Sequence, residues 1–465
     1  MKKRELLNLG IPNGEPLKLA FKAIVDARAA GLDVASMRAQ FAALVDDPLA
    51  FIDHSALGAL ARALSPSPER TASFVPRHEP APYQQWGRDL EASAVTQIIN
   101  ACSLPITVRG ALMPDAHPGY GLPIGGVLAT RDAVIPYAVG VDIACRVKLS
   151  VFDLPTSMLE IKAERLAETI EAETRFGIGA SFKDRRTHAV MDEDWSVTRL
   201  TRGLKDKAWS QLGTSGSGNH FVEFGTFEVG EESLDIPAGT YLALLTHSGS
   251  RGAGATIAAH FSRLAMDQHP DLPSNLRHLA WLSLASEEGQ EYWSAMELMG
   301  KYASANHACI HHHIARRLGA ATLLDIENHH NFAWREVHDG ESLIVHRKGA
   351  TPAGLGVLGV IPGSMASPTY VVRGKGSVAA LDSAAHGAGR VMSRTAAKQR
   401  FTWPQLKQRL LKNRVTLLSA GLDEAPMVYK DIDEVMSAQR DLVEPLAAFH
   451  PRIVKMAPGD EPPED

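Results

Sequence analysis

Val139-Gly140-Val141-Asp142-Ile143-Ala144-Cys145 places a carboxylate and a thiol three residues apart, in a stretch that reads as a strand end or tight loop. In an irregular turn both could reach one cation. A thiol bound to a metal ion loses its proton outright, although free cysteine has a pKa of about 8.5. The alternative is a buried structural cysteine beside a turn aspartate. Four further stretches share this character: Gly216-Ser217-Gly218-Asn219-His220, Thr246-His247-Ser248-Gly249-Ser250-Arg251, Asn328-His329-His330-Asn331 and Ala385-His386-Gly387-Ala388-Gly389-Arg390. Cysteine, histidine and aspartate ligate metals, while glycine and serine let backbone amides approach phosphate. Their repeated combination points to metal-assisted phosphoryl chemistry.

Each stretch has its own logic. His220 closes Gly213-Thr214-Ser215-Gly216-Ser217-Gly218-Asn219, a run of small residues suited to curling close to a ligand, and Glu223 follows. Asn219 can donate and accept, as a phosphate oxygen or a base edge requires. His247 follows the apolar run Leu242-Ala243-Leu244-Leu245, so it reads as a strand-end ligand beside a loop with Arg251. His329 and His330 are adjacent and point apart on regular structure, so at most one faces a shared metal. His307 and His311 have the i, i+4 spacing of a zinc pair, but no glutamate lies between them as in HExxH, and their helix reads as packing. His386 precedes Gly387-Ala388-Gly389-Arg390, which leaves its imidazole approachable by something large, and a neutral imidazole can attack phosphorus. Arg373-Gly374-Lys375-Gly376 has neither the Walker A nor the dinucleotide-binding spacing.

With 465 residues, two or three domains or one large elaborated one are expected. Apolar content of 45% and charged content of 22% are ordinary for a soluble globular protein. Three cysteines are too few for a disulfide scaffold and suit a reducing cytosol. No apolar run has membrane-spanning length, and Met1-Lys2-Lys3-Arg4 leads into mixed sequence, so a cytoplasmic protein without a membrane partner is expected. A net charge of −5 means that any polyanion would need a local basic surface. One candidate runs from Arg394 to Arg414, with seven basic residues, no acid, and Phe401 and Trp403 among them: a solvated helical face, or a phosphate track with aromatic stacking.

Residues 1–65 read as a helical N-terminal extension, with apolar spacing at Leu17, Ala20, Phe21 and Ile24, at Met37, Phe41, Leu44 and Val45, and at Leu57, Leu60, Ala61 and Leu64. A Pro-rich linker is expected over 66–85, a catalytic domain over 86–456 and a disordered acidic tail over 457–465. From Trp86 to Pro155 the text reads as strand and loop. Ser157 and Glu160 suggest a capping box opening a helix to Glu173. Strands are expected to end at Leu245, Val345 and Val372. A long helix is expected from Ser286 to Leu318, capped by Gly319, with Tyr292, Met296, Met299, Ala303 and Ile310 inward. A last helix should start near Asp431, present Ile432, Val435, Met436, Gln439 and Leu442 on one side, and end or kink at Pro445. Strands and helices mix without regular βαβ alternation, so the fold class is α+β, with mixed or antiparallel sheets in a central core and helices around them.

The order of these stretches resembles the RtcB family of RNA ligases. Carrying the resemblance are Met113-Pro114-Asp115-Ala116-His117-Pro118-Gly119, Val139–Cys145, Gly218-Asn219-His220-Phe221-Val222-Glu223 and His247-Ser248-Gly249-Ser250-Arg251-Gly252. It continues through His330-Asn331, Val345-His346-Arg347-Lys348-Gly349-Ala350, Pro362-Gly363-Ser364-Met365, His386–Arg394, Asp423-Glu424-Ala425-Pro426 and Tyr429-Lys430-Asp431, covering roughly Trp86 to Lys455. The resemblance implies GTP- and Mn²⁺-dependent joining of RNA 3′-phosphate or 2′,3′-cyclic phosphate ends to 5′-hydroxyl ends, in RNA repair or tRNA splicing. It makes His386 the guanylylated nucleophile. It places one Mn²⁺ on Cys145, His247 and His330 and a second on Asp142, Cys145 and His220, with the thiolate shared. Asn219, Glu223, Ser364, Tyr429 and Lys455 match positions that contact the guanylate. Gly387 and Gly389 are expected beside that nucleotide, and Arg251 and Arg390 are candidates for phosphate or RNA contacts. RNA with such ends is the implied partner, and an activating protein partner is a further candidate.

There are departures. Arg146 follows Cys145 and Ala144 precedes it, where the family usually has glycine; Thr369 and Met456 replace a usual serine and glycine. Residue types alone also suit Zn²⁺ or Co²⁺. Two other functions are compatible: a metal-dependent phosphodiesterase that only opens cyclic phosphates, which would not need His386, and a non-catalytic RNA-end binding protein, against which intact His386 and Cys145 count.

Overall fold

A computed structural model describes residues 1–465 apart from 2, 13, 30, 32, 53, 65–74, 231–233 and 460–465. The chain divides into two compact units, Met1–Phe74 and Val75–Asp465. In the first, the helices Glu15–Ala29, Val34–Asp46 and Gly58–Leu64 bury Leu17, Ala20 and Ile24, then Met37, Phe41 and Leu44, then Leu60 and Ala61. Asp33 caps the second helix, accepting from Ala35 N at 2.8 Å and Ser36 N at 3.0 Å. Phe21, expected in the inward stripe, is 39% exposed. It lies one residue beyond Ala20, off the Leu17–Ala20–Ile24 face. Residues 66–74 of the expected linker and 460–465 of the expected tail lie outside the described residues. The end of the linker stretch, Tyr83–Gln85, is a strand paired parallel with Thr107–His117.

The second unit is an α+β structure built on two sheets. Five strands run in the order Tyr83–Gln85, Thr107–His117, Ile124–Thr130, Glu341–Lys348, Asn331–His338. The larger sheet runs Leu358–Pro362, Thr369–Gly374, Val443–Met456, Phe221–Val229, Gly239–Ser248, Arg146–Phe152, Thr322–His329, and Thr416–Ser419 pairs beside Val443–Met456. One face of it buries Val147, Leu149, Val151, Phe227, Leu245 and Phe449. The other buries Phe152, Val222, Phe224 and Leu244 against Ile310, Ile314 and Leu318 of the helix Glu287–Leu318. That helix has the expected C-terminal cap, Gly319, left-handed at φ 71°, and Ser286 caps its start by accepting from Gly289 N at 3.1 Å. Its five expected inward residues are all buried, each large one contributing about 1.5–3 kcal/mol of transfer free energy.

Three expectations were overturned. A helix, Ala92–Cys102, lies inside the stretch read as strand and loop; Ala94, Ile98, Ala101 and Cys102 form its buried face. Ser157 and Glu160 make no capping box. Ser157 is already helical (φ −57°, ψ −18°), and the segment breaks at Lys162 into Met158–Ile161 and Ala163–Glu173. The last helix, capped by Asp431, ends at Ala438, and Val443–Met456 is a 14-residue strand. Pro445 and Pro451 are tolerated in this inner strand because the register slips at each: between Val371 and Val372 on one side, between Pro451 and Ile453 on the other.

Several imidazoles are enclosed. His346 accepts from Ile135 N at 2.9 Å through Nε2, and its Nδ1 lies 3.2 Å from the Leu128 carbonyl. Burial holds it down to about 4, and burial holds His307 and His311 well below 6.5. The 307/311 pair is thus packing: it bonds Thr246 Oγ1 at 2.7 and 2.8 Å, and His307 also reaches the Ser248 carbonyl. These bases bind protons less readily folded than unfolded, so the unfolded chain gains protons first as pH falls below 6.5. Stability is therefore present above that value and lost towards the folded values, by up to about 1.4 kcal/mol per pH unit for each group. The urea midpoint should fall between about pH 7 and about pH 5; a flat midpoint would contradict neutral burial.

Candidate active site

Cys145 immediately precedes Arg146–Phe152, His220 precedes Phe221–Val229, His247 is next to last in Gly239–Ser248, and His330 follows Thr322–His329. These strands are antiparallel neighbours, so all four residues arrive at one end of the larger sheet. The register makes this explicit: Arg146 pairs with Ser248 and His329, Val147 with His247, and Phe221 with His247. Asp142 reaches the same place through a turn closed by Cys145 N to the Asp142 carbonyl at 3.2 Å. Ala144 takes a left-handed conformation in it (φ 58°), at a cost of about 1 kcal/mol. Its N–H donates to the Asn331 carbonyl at 2.7 Å.

Cys145 Sγ is 3.1 Å from His247 Nε2 and 3.5 Å from His220 Nε2. His247 Nε2 is 3.2 Å from His330 Nε2, and His220 Nε2 is 3.1 Å from Asp142 Oδ2. Two ligand sets result, Cys145–His247–His330 and Asp142–Cys145–His220, each with its donor atoms within 4.8 Å of one another and all five residues buried. The rings are aimed from behind. His220 Nδ1 lies 2.8 Å from the Ser215 carbonyl and His247 Nδ1 3.0 Å from the Asn219 carbonyl. A carbonyl only accepts, so both Nδ1 atoms carry a hydrogen and both Nε2 atoms face the cluster, where a bound ion would take their lone pairs. Among the described residues the buried Nδ1 of His330 has no hydrogen-bond partner.

Electrostatics prepare the same atoms. Burial, reinforced by His220, holds His247 down to about 3, and burial with neighbouring His386 and His247 holds His330 well below 6.5. Burial opposes ionisation of Asp142, but the His220 hydrogen bond and charge, with help from Cys145 and Arg251, hold it at about 2. Neutral imidazoles, a carboxylate and a thiol fit a divalent ion of mixed N, O, S preference.

A family model described as tRNA-splicing ligase RtcB matches residues 97–456. The RNA-splicing ligase RtcB of Escherichia coli strain K12 is 35% identical over 404 residues, covering 79% of this chain and 95% of that protein. The tRNA-splicing ligase RtcB of Thermococcus kodakarensis is 31% identical over 414 residues, covering 73% and 86%. The RNA-splicing ligase RtcB of Mycobacterium bovis is 32% identical over 418 residues, covering 74% and 95%. This chain belongs to the RtcB family. That places it among the RNA ligases.

The ligand cluster of this RtcB-family chain opens into a cavity of about 600 Å³. Of the residues singled out from sequence, Asp142, Cys145, Asn219, His220, Glu223, His247, His330, Ser364, His386, Gly387, Gly389, Arg390 and Tyr429 all line it. Two do not. Arg251 is buried, its Nε on Thr214 Oγ1 at 3.2 Å. Lys455 turns to Glu171, with its Nζ 5.4 Å from the Phe176 ring. Arg146 faces away from the cavity as the next residue of a strand must. Its guanidinium pairs with Glu327 and donates to the Gly300 carbonyl at 2.8 Å.

Asp115 was not singled out, although it lies in a motif quoted above. Its Oδ2 accepts from His386 Nδ1 at 2.7 Å and from His386 N at 3.2 Å. The register slips between Leu112 and His117, a bulge that turns Asp115 inward. An ionised carboxylate only accepts, so Nδ1 carries the hydrogen and His386 Nε2 keeps its lone pair in the neutral ring. The His330 and His386 rings are 4.8 Å apart. Glu424 was also missed; buried, it receives Tyr429 Oη, Arg390 and Arg394. Burial raises Glu223 well above 4.5, leaving a neutral carboxyl in the wall, and pushes Lys348 down to about 7.

Gly249 must lack a side chain, because a Cβ there would lie 1.9 Å from Asp142 Oδ2. Gly249→Ala should displace that carboxylate and weaken divalent-ion binding about 10–100-fold in a calorimetric titration. Parent-like affinity would remove Asp142 from the ligand set.

Proposed function

We propose that this chain is a GTP- and Mn²⁺-dependent RNA ligase that joins 3′-phosphate or 2′,3′-cyclic phosphate ends to 5′-hydroxyl ends through a guanylylated His386, in cytoplasmic RNA repair or tRNA splicing. The observation that supports it most is the Asp115–His386 pair facing the ligand cluster: an imidazole with one nitrogen held by a buried carboxylate and the other free to attack. Divalent ions on the two ligand sets would neutralise phosphate charge and polarise phosphoryl oxygens. The donor types suit several metals, and manganese rests on the family resemblance.

In the proposed first step, His386 Nε2 attacks the α-phosphorus of GTP. A P–N bond forms, the P–O bond to pyrophosphate breaks, and Asp115 stabilises the cationic imidazole through Nδ1–H. Neutral Glu223 can both donate and accept, as the edge of a guanine requires, while Asn219, Ser364 and Tyr429 lie on the same wall. An RNA 3′-phosphate oxygen then attacks the guanylyl phosphorus, the P–N bond breaks, and His386 returns to its neutral form. Finally the 5′-hydroxyl attacks the RNA 3′-phosphorus and GMP leaves. A cyclic phosphate must first be opened by water. The phosphodiesterase alternative would leave the Asp115–His386 arrangement without a role.

Incubation with α-labelled GTP and Mn²⁺ should place acid-labile label on the protein, lost in His386→Ala. Asp115→Asn should slow labelling at least about a hundredfold, since an amide no longer fixes the tautomer. Label persisting in His386→Ala would remove the nucleophile. An unlabelled parent that still opens cyclic phosphate would establish the phosphodiesterase.

A further inference from the structure

In the sequence, the basic segment Arg394–Arg414 reads as a solvated helical face or a phosphate track. It forms two short helices, Arg394–Arg400 and Trp403–Lys412. The second packs inward through Leu406 and Leu410 alone, which leaves its remaining circumference to solvent. Arg394 and Lys398 are engaged with Asp423. Arg400, Lys407, Arg409, Lys412 and Arg414 are exposed, and among the described residues none of the five has an acid within ion-pair distance. Trp403 is 43% exposed beside them, and Arg400 stacks on Phe401 at 5.7 Å.

Position gives this surface its meaning. Met392, Ser393 and Arg394 line the cavity, and Arg394 opens the first helix, so the basic segment begins at the cavity wall. The chain holds 48 basic and 53 acidic residues, yet this segment carries seven basic residues and no acid. A polyanion is repelled by the whole and attracted here.

We infer that the two helices form a track for the sugar–phosphate backbone of the RNA strand leading into the cavity, with Trp403 a stacking platform for a base. The inference rests on the ligase reading for the identity of the polyanion. Unpaired lysines and arginines supply sequence-independent phosphate contacts, and an exposed indole accepts any base.

The test is fluorescence-anisotropy binding of a single-stranded RNA, long enough to run past the cavity, to the full chain across a salt series. The variant Arg400→Gln/Lys407→Gln/Arg409→Gln/Lys412→Gln should bind about tenfold or more weakly at low salt. Its slope of log affinity against log salt should be shallower by about 0.7 for each phosphate that the variant no longer neutralises. Trp403→Ala should weaken binding about tenfold with an unchanged slope. Neutralising Lys162, Lys183, Arg199 and Arg202, exposed basic residues of the same unit, should change neither. A quadruple variant with parent affinity and slope, or an equal loss in the control, overturns the track. Guanylylation needs no RNA and should keep its parent rate in the track variants, which also shows them folded. A parent that takes no label refutes the ligase reading, while the binding series still decides the track.

Discussion

Four antiparallel strands of one sheet begin or end at a single level, and this places Cys145, His220, His247 and His330 within bonding range of common points. No local segment could do so, since Cys145 and His330 lie 185 positions apart in the chain. What holds them is ladder register: slipping any strand by one residue would turn its ligand to the opposite face. The apolar layers on both faces of the sheet therefore set the geometry of a polar cluster beyond its end. Burial is costly for the charged forms of His247 and His330 and favours their neutral rings, the state in which an imidazole ligates a metal.

The second constraint is the approach of the other sheet. A bulge before His117 brings Asp115 inward, and the small residues around His386 let the two segments meet closely: a Cβ on Gly389 would fall 2.0 Å from the Asp115 carbonyl oxygen. The nucleophile proposed for the reaction is thus oriented by one sheet and faces ligands presented by the other. Its ring nitrogen is selected by a single hydrogen bond, which makes Asp115 a positioning residue for that chemistry.

Much of this was legible in the chain. The glycine- and serine-bearing strand ends announced the residues that converge on the cluster, because such loops let side chains and phosphate share a small volume. The long helix declared its span and its C-terminal cap, Gly319. Other features were hidden for physical reasons. Asp115 carries no local signal, since its importance comes from a bulge and from a partner 271 residues away. The strand Val443–Met456 was hidden because Pro445 and Pro451 oppose a strand, and only the register slips beside them accommodate it. Arg146 looked like a neighbour of the metals in sequence, yet strand alternation turns it towards Glu327 and Gly300. Lys455 and Arg251 show the same limit: adjacency in a motif does not decide which side of a backbone a side chain takes.

The proposed sharing of the Cys145 thiolate by two metal ions opposite His386 is the centre of this account. Anomalous scattering from crystals grown with Mn²⁺ tests it directly. Two peaks should appear, both within coordinating distance of Cys145 Sγ, one completed by His247 and His330 and the other by Asp142 and His220. Peaks away from Cys145, or a His386 ring turned from them, would contradict it.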